Sequence, residues 1–162
     1  MKHHTPDYSV GVAGVEGFCP TGDAYATQNI ADKKIPVLSC EGPCIRGEIA
    51  RLAAHLVTQE LPSYARACHG ETFFVPHSGT ARWVREADKV LMIDGCFLKC
   101  HGRVLRGLVG DQRIIHIDAL PLYNKYTDIF LTDDVPDEER RAVARQVADK
   151  IVATLKNETR SV

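Results

Sequence analysis

The sequence predicts an α/β domain of three layers, α/β/α, built on a mostly parallel sheet with a cysteine site at the carboxyl edge of its strands. Two observations lead there. Short apolar runs alternate with stretches of helical period, the pattern that short crossovers convert into a parallel sheet with helices on both faces. Two of those runs, Ile35-Pro36-Val37-Leu38 and Val90-Leu91-Met92-Ile93, each pass through a Gly-containing turn with cysteines spaced C-x3-C: Cys40 with Cys44, and Cys96 with Cys100.

Residues 1–34 read as an amino-terminal extension packed on the domain, with a short strand expected at Tyr8 to Val12 and a short helix at Ala24 to Ile30. The domain proper spans 35–162. After the first strand, Ile45, Ile49, Leu52 and Leu56 recur on one face of a helix. A loop around Cys68-His69-Gly70 leads to a β-type run at Thr72 to Val75 and a weaker helix from Thr80 to Ala87. Val90 to Ile93 is apolar throughout, as a strand covered on both faces should be. A helix carrying Cys100, Val104 and Leu108 on one face follows, then two short strands at Arg113 to Ile117 and Asp128 to Leu131. Pro136, acids in a first turn, and Val143, Val147, Ile151 and Leu155 at four-residue intervals predict a long amphipathic closing helix.

With 162 residues the chain can bury a core without metal or disulfide staples, so a metal would be functional rather than obligatory for folding. Twenty basic and 21 acidic residues, mixed along the chain, give a net charge of -1 and no field for nucleic acid or an anionic membrane. Neither is expected as a partner; protein partners are left unspecified. The first residues lack the apolar core of a signal peptide, and no apolar run approaches the roughly 20 residues that span a bilayer. The expected compartment is cytoplasmic. Reducing conditions there favour metal ligation or catalysis over disulfides for the six cysteines.

In an open α/β sheet, turns distant in sequence meet at the carboxyl edge of the strands. If strands 35–39 and 89–94 are neighbours, Cys40 and Cys96 converge, with Cys44 and Cys100 in the first turns of the following helices. Four sulfurs suit zinc, with Zn–S near ~2.3 Å, or alternatively an iron–sulfur cluster. The excess negative charge of four thiolates calls for helix amino termini and for Arg46, Lys99, His101 and Arg103 nearby. Asp94 is placed to cap the second helix, the preferred reading, or to orient a ligand from behind. Cys68 is either a fifth ligand or a small buried hydrophobe, and Cys19 a structural residue. His55 reads as helix packing, while His77 and His116 carry no signal.

Ile93-Asp94-Gly95-Cys96 with Cys100, and the upstream Cys40-Glu41-Gly42 turn, resemble the DGC family of zinc-binding candidates, from about Ile35 into the last helix. The resemblance implies that Cys40, Cys68, Cys96 and Cys100 match the family's recurring cysteines. Glu41 then stands where a small polar residue is expected, and Cys44 is additional. The function so implied is one zinc ion held for metal handling or sensing. A rival reading starts from Cys40-x5-Arg46 between a strand and a helix, which resembles the oxyanion loop of low-molecular-weight phosphatases and arsenate reductases. Cys40 would be its nucleophile and Arg46 its anion clamp. Gly47 lacks the hydroxyl expected after the arginine, and no Asp-Pro general acid is evident.

Overall fold

The computed structural model describes residues 5–160. Its elements run α1 (Pro20–Ala31), β1 (Ile35–Ser39), α2 (Ile45–Glu60), β2 (Tyr64–Arg66), α3 (His69–Phe74), α4 (Gly79–Glu86), β3 (Val90–Asp94), α5 (Cys100–Val109), β4 (Ile114–Asp118), α6 (Leu120–Tyr123) and α7 (Asp137–Arg160). The four strands are all parallel in the order β2-β1-β3-β4. That is the three-layer α/β/α class.

The register explains why the central strands are apolar without alternation. Val37, Leu91 and Ile93 enter a core with α2 and α7, while Leu38, Val90 and Met92 enter a second core with α1, α4 and α5. Because β2 lies on one side of β1 and β4 on the other side of β3, right-handed crossovers send α2 and α5 to opposite faces. The chain therefore reverses its winding between β1 and β3. Strand ends at such a point leave a crevice, the usual place for a site in this class.

Several expectations are corrected. Tyr8 to Val12 forms no strand; residues 5–19 are exposed and irregular. Thr72 to Val75 is not β structure: most of it lies in α3, where buried Glu71 accepts from Cys19 N at 3.2 Å and Thr80 Oγ1 at 2.7 Å, so tertiary anchoring overrides β propensity. Asp128 to Leu131 contributes only one bridge, Leu131 with Cys44, beside a bond from Ile45 N to the Phe130 carbonyl. Two faces are rotated from the reading. The α2 core face runs through Ile45, Ile49, Ala53 and Val57, with Leu52 and Leu56 half-buried and His55 exposed rather than packed. In α5 the buried residues are Gly102, Leu105 and Val109, so Cys100, Val104 and Leu108 face outward.

Candidate metal centre

Five of the six cysteines stand at the carboxyl ends of β1, β2 and β3. Cys40 follows β1, Cys44 is the N-cap of α2, Cys68 the N-cap of α3, Cys96 follows β3, and Cys100 opens α5. Cys40, Cys44 and Cys96 are half-buried, whereas Cys68 and Cys100 are exposed. Cys19 sits apart and exposed at the N-cap of α1, where its sulfur accepts from Gly22 N at 3.3 Å.

The two C-x3-C turns interlock through glycines. A Cβ on Gly95 would lie 2.6 Å from the Arg46 carbonyl oxygen, and one on Gly47 would lie 2.5 Å from the Gly42 carbonyl oxygen. Both obstacles are backbone, which cannot swing aside. A side chain at Gly95 would push the Cys96 turn off the α2 amino end, and one at Gly47 would push the Gly42 turn off the same helix. The Cys40 and Cys44 sulfurs flank Gly42, at 3.6 and 3.9 Å from where its Cβ would stand. Cys44 Sγ accepts from Gly47 N at 3.4 Å. Burial pushes the Cys40 thiol up; the amides of Gly42 and Gly95 oppose this, while Cys44 and Asp94 add to it.

Asp94 does not cap α5. The helix starts six residues later with Lys99, in a left-handed conformation at φ 50°, as N-cap. Asp94 is 1% exposed and its Oδ2 accepts from His116 Nε2 at 2.7 Å. Room for that pair comes from Gly102, whose Cβ would lie 2.3 Å from Asp94 Oδ2.

A second polar network closes the β1–β2 end. Arg66 donates from Nη1 to Ser39 Oγ at 2.9 Å and from Nη2 to Glu41 Oε1 at 2.7 Å, and Ser39 Oγ donates to the same Glu41 oxygen at 2.8 Å. Glu41 is thus the acceptor that holds the turn. His69 Nε2 accepts from Ser39 N at 3.2 Å, and its ring meets His101 edge-on at 5.3 Å. Burial pushes the His69 imidazole down to about 4, with Arg66 and His101 adding and Glu41 opposing. A depressed histidine stays neutral in the fold while the unfolded chain, near ~6.5, takes up a proton. Stability contributed this way is full above about 6.5 and is lost as pH falls towards 4. Metal-free protein should lose on the order of 2 kcal/mol across that window, and His69→Gln should flatten the loss in urea-unfolding curves taken at successive pH values.

Arg46, the clamp of the oxyanion reading, directs its guanidinium to Thr127, with Nη1 3.4 Å from the carbonyl, and it is a charged neighbour of Tyr123. Pro43 also removes one N–H from that loop. Among the described residues no three His, Cys, Asp or Glu side chains stand close enough to hold a metal ion as they are oriented. Instead, Cys40 and Cys44 are engaged with backbone amides.

The sequence reading passed over His69 and His116, used His101 only as a charge, and missed Tyr123. Two Cys-His dipeptides, Cys68-His69 and Cys100-His101, were the available signal for the first and third. Nothing local marked Tyr123 or His116, which reach the edge through β4 and α6. Among the described residues no helix is long and apolar enough to cross a membrane. No curated protein and no solved structure matches the chain. A family model described as the DGC domain matches residues 36–153, from within β1 deep into α7, and the chain belongs to the DGC family.

Proposed function

We propose that the protein binds one zinc ion through cysteine thiolates at the carboxyl edge of its sheet and serves metal handling or sensing. The observation that supports this most is the delivery of Cys40, Cys44, Cys68, Cys96 and Cys100 to one edge by three adjacent strands. The donor chemistry fits the ion. Zinc favours four sulfur ligands in a closed tetrahedral site, and loading would require the sulfurs now engaged with amides to rotate towards a common centre. Zinc bound there would supply a closed, redox-inert thiolate centre; an iron–sulfur cluster is the alternative cofactor for the same donors. Helix amino ends and Arg46, Lys99 and Arg103 offset the charge of the thiolates. A cytoplasmic, reducing compartment suits sulfurs that must remain free.

Elemental analysis of protein purified under reducing conditions without chelator should find about one zinc per chain. Chelation should then lower the melting temperature, because an ion bound only by the folded state stabilises it by mass action. Absence of stoichiometric metal would overturn the proposal. Visible charge-transfer absorption with iron content would reassign the site to a cluster.

A further inference from the structure

Six exposed large apolar side chains gather at or beside the carboxyl edge of the sheet. Phe97 and Leu98 stand in the turn after β3, Val104 and Leu108 on the outward stripe of α5, and Phe130 and Leu131 between α6 and α7. The segments that carry them meet at the first turn of α2: Ile45 N donates to the Phe130 carbonyl, Leu131 bridges Cys44, and Gly95 lies against the Arg46 carbonyl. A single exposed leucine needs no explanation, whereas apolar side chains collected on one edge mark an interaction surface. Phe97 is 72% exposed and Phe130 59%. The charges that flank the two halves are of opposite sign. On the α5 side Lys99 and Arg103 have no acid within ion-pair distance among the described residues, while Arg106 is already held by Asp111. On the other side Asp128, Asp133 and Asp134 are equally unpaired and outnumber Lys125.

A partner of one sign would complement only half of such a surface and repel the other half. A second copy complements both, because a two-fold axis lays each half on its opposite and repeats every contact twice. We propose that this edge is the interface of a homodimer, in which the Phe97 half of one copy, with Lys99 and Arg103, lies on the Phe130 half of the other, with Asp128, Asp133 and Asp134. The apolar side chains provide the buried centre and the charges set the register. A net charge of -1 per chain leaves little overall repulsion to resist the pairing. The contact uses no sulfur and no metal, so it stands apart from the zinc reading.

The test is sedimentation equilibrium of the full-length protein in low salt, with reductant and chelator present so that neither a disulfide nor a shared ion can link the copies. The expected result is a reversible dimer of twice the 17.9 kDa chain mass, with a dissociation constant of about micromolar order. Phe97→Ser, at a position the fold leaves exposed, should weaken the dimer about 10-fold or more. Two charge-swapped proteins give the sharper readout. Lys99→Glu with Arg103→Glu makes both halves acidic, Asp133→Lys with Asp134→Lys makes both basic, and each protein alone should dimerise about 10-fold more weakly. Mixed in equal amounts they should pair with each other about as tightly as the unmodified chain pairs with itself, which a loss of folding could not imitate. Three results would overturn the proposal: an unmodified protein that stays monomeric at about 0.1 mM, a dimer unaffected by Phe97→Ser and by both swaps, or a mixture that associates no better than its components.

Discussion

Gly95→Ala should destabilise the protein by about 3 kcal/mol or more, the upper range for an inserted methyl group that has nowhere to go. The added carbon would meet the Arg46 carbonyl oxygen at 2.6 Å, its carbon at 2.8 Å and Gly47 N at 3.0 Å, all main-chain atoms of the first turn of α2. Relief requires separating β3 from that helix, and with it Cys96 from Cys44. Urea unfolding reads the energy, and the rates at which the cysteines react with a thiol reagent report the opened edge. Gly107, in α5 with open space around its Cβ position, provides the contrast: alanine there should be neutral or stabilise by about 0.5–1 kcal/mol. A Gly95→Ala protein as stable as the Gly107→Ala protein would show that the interlocked turns are not rigid.

Trp83→Ala should cost about 3–5 kcal/mol, the range for deleting a large buried aromatic ring. Trp83 is 2% exposed, donates from Nε1 to the Lys34 carbonyl at 3.0 Å and meets Tyr25 edge-on at 6.1 Å. One side chain thereby fastens α1, α4 and the entry to β1. Its loss should open α1 before the sheet, so limited proteolysis should cut within 20–34 while α2 and α7 stay protected. A loss below about 1 kcal/mol would mean that α1 is held by other contacts.

Much of this architecture is legible in the chain because burial on two faces writes itself as unbroken apolarity. Val90 to Ile93 could hardly be anything but a central strand, and the four-residue spacing from Val143 to Leu155 is the α7 core face. The cysteines were equally visible, being rare and regularly spaced. What escaped depends on contacts between segments. The three residues of β2 are too few to establish a period, and β2 takes its form from pairing with Ile35 to Val37. The α3 segment is rich in β formers, yet buried Glu71 holds it in a helix through bonds to Cys19 and Thr80. The inward face of α5 is chosen by Gly102, which must pass over Asp94 and His116, rather than by its largest apolar residues. For the same reason the role of Asp94 could not be read locally: its partner is 22 residues away on the neighbouring strand. Arg46 reaches the Thr127 carbonyl only because the segment after α6 returns to the start of α2.

Helix α2 begins on a sulfur. Its N-cap is Cys44, a position where an oxygen acceptor ordinarily stands, and the bond from Gly47 N to that sulfur spans 3.4 Å. Oxygen caps contribute about 1 kcal/mol, and a neutral thiol offers a poorer acceptor than they do. Any event that ionises Cys44 therefore tightens the first turn of the helix as it charges the site, through both the amide bond and the helix dipole. The chemical state of one atom at the edge is written into the backbone of a 16-residue helix, where amide exchange in its first turn can read it without touching the cysteines.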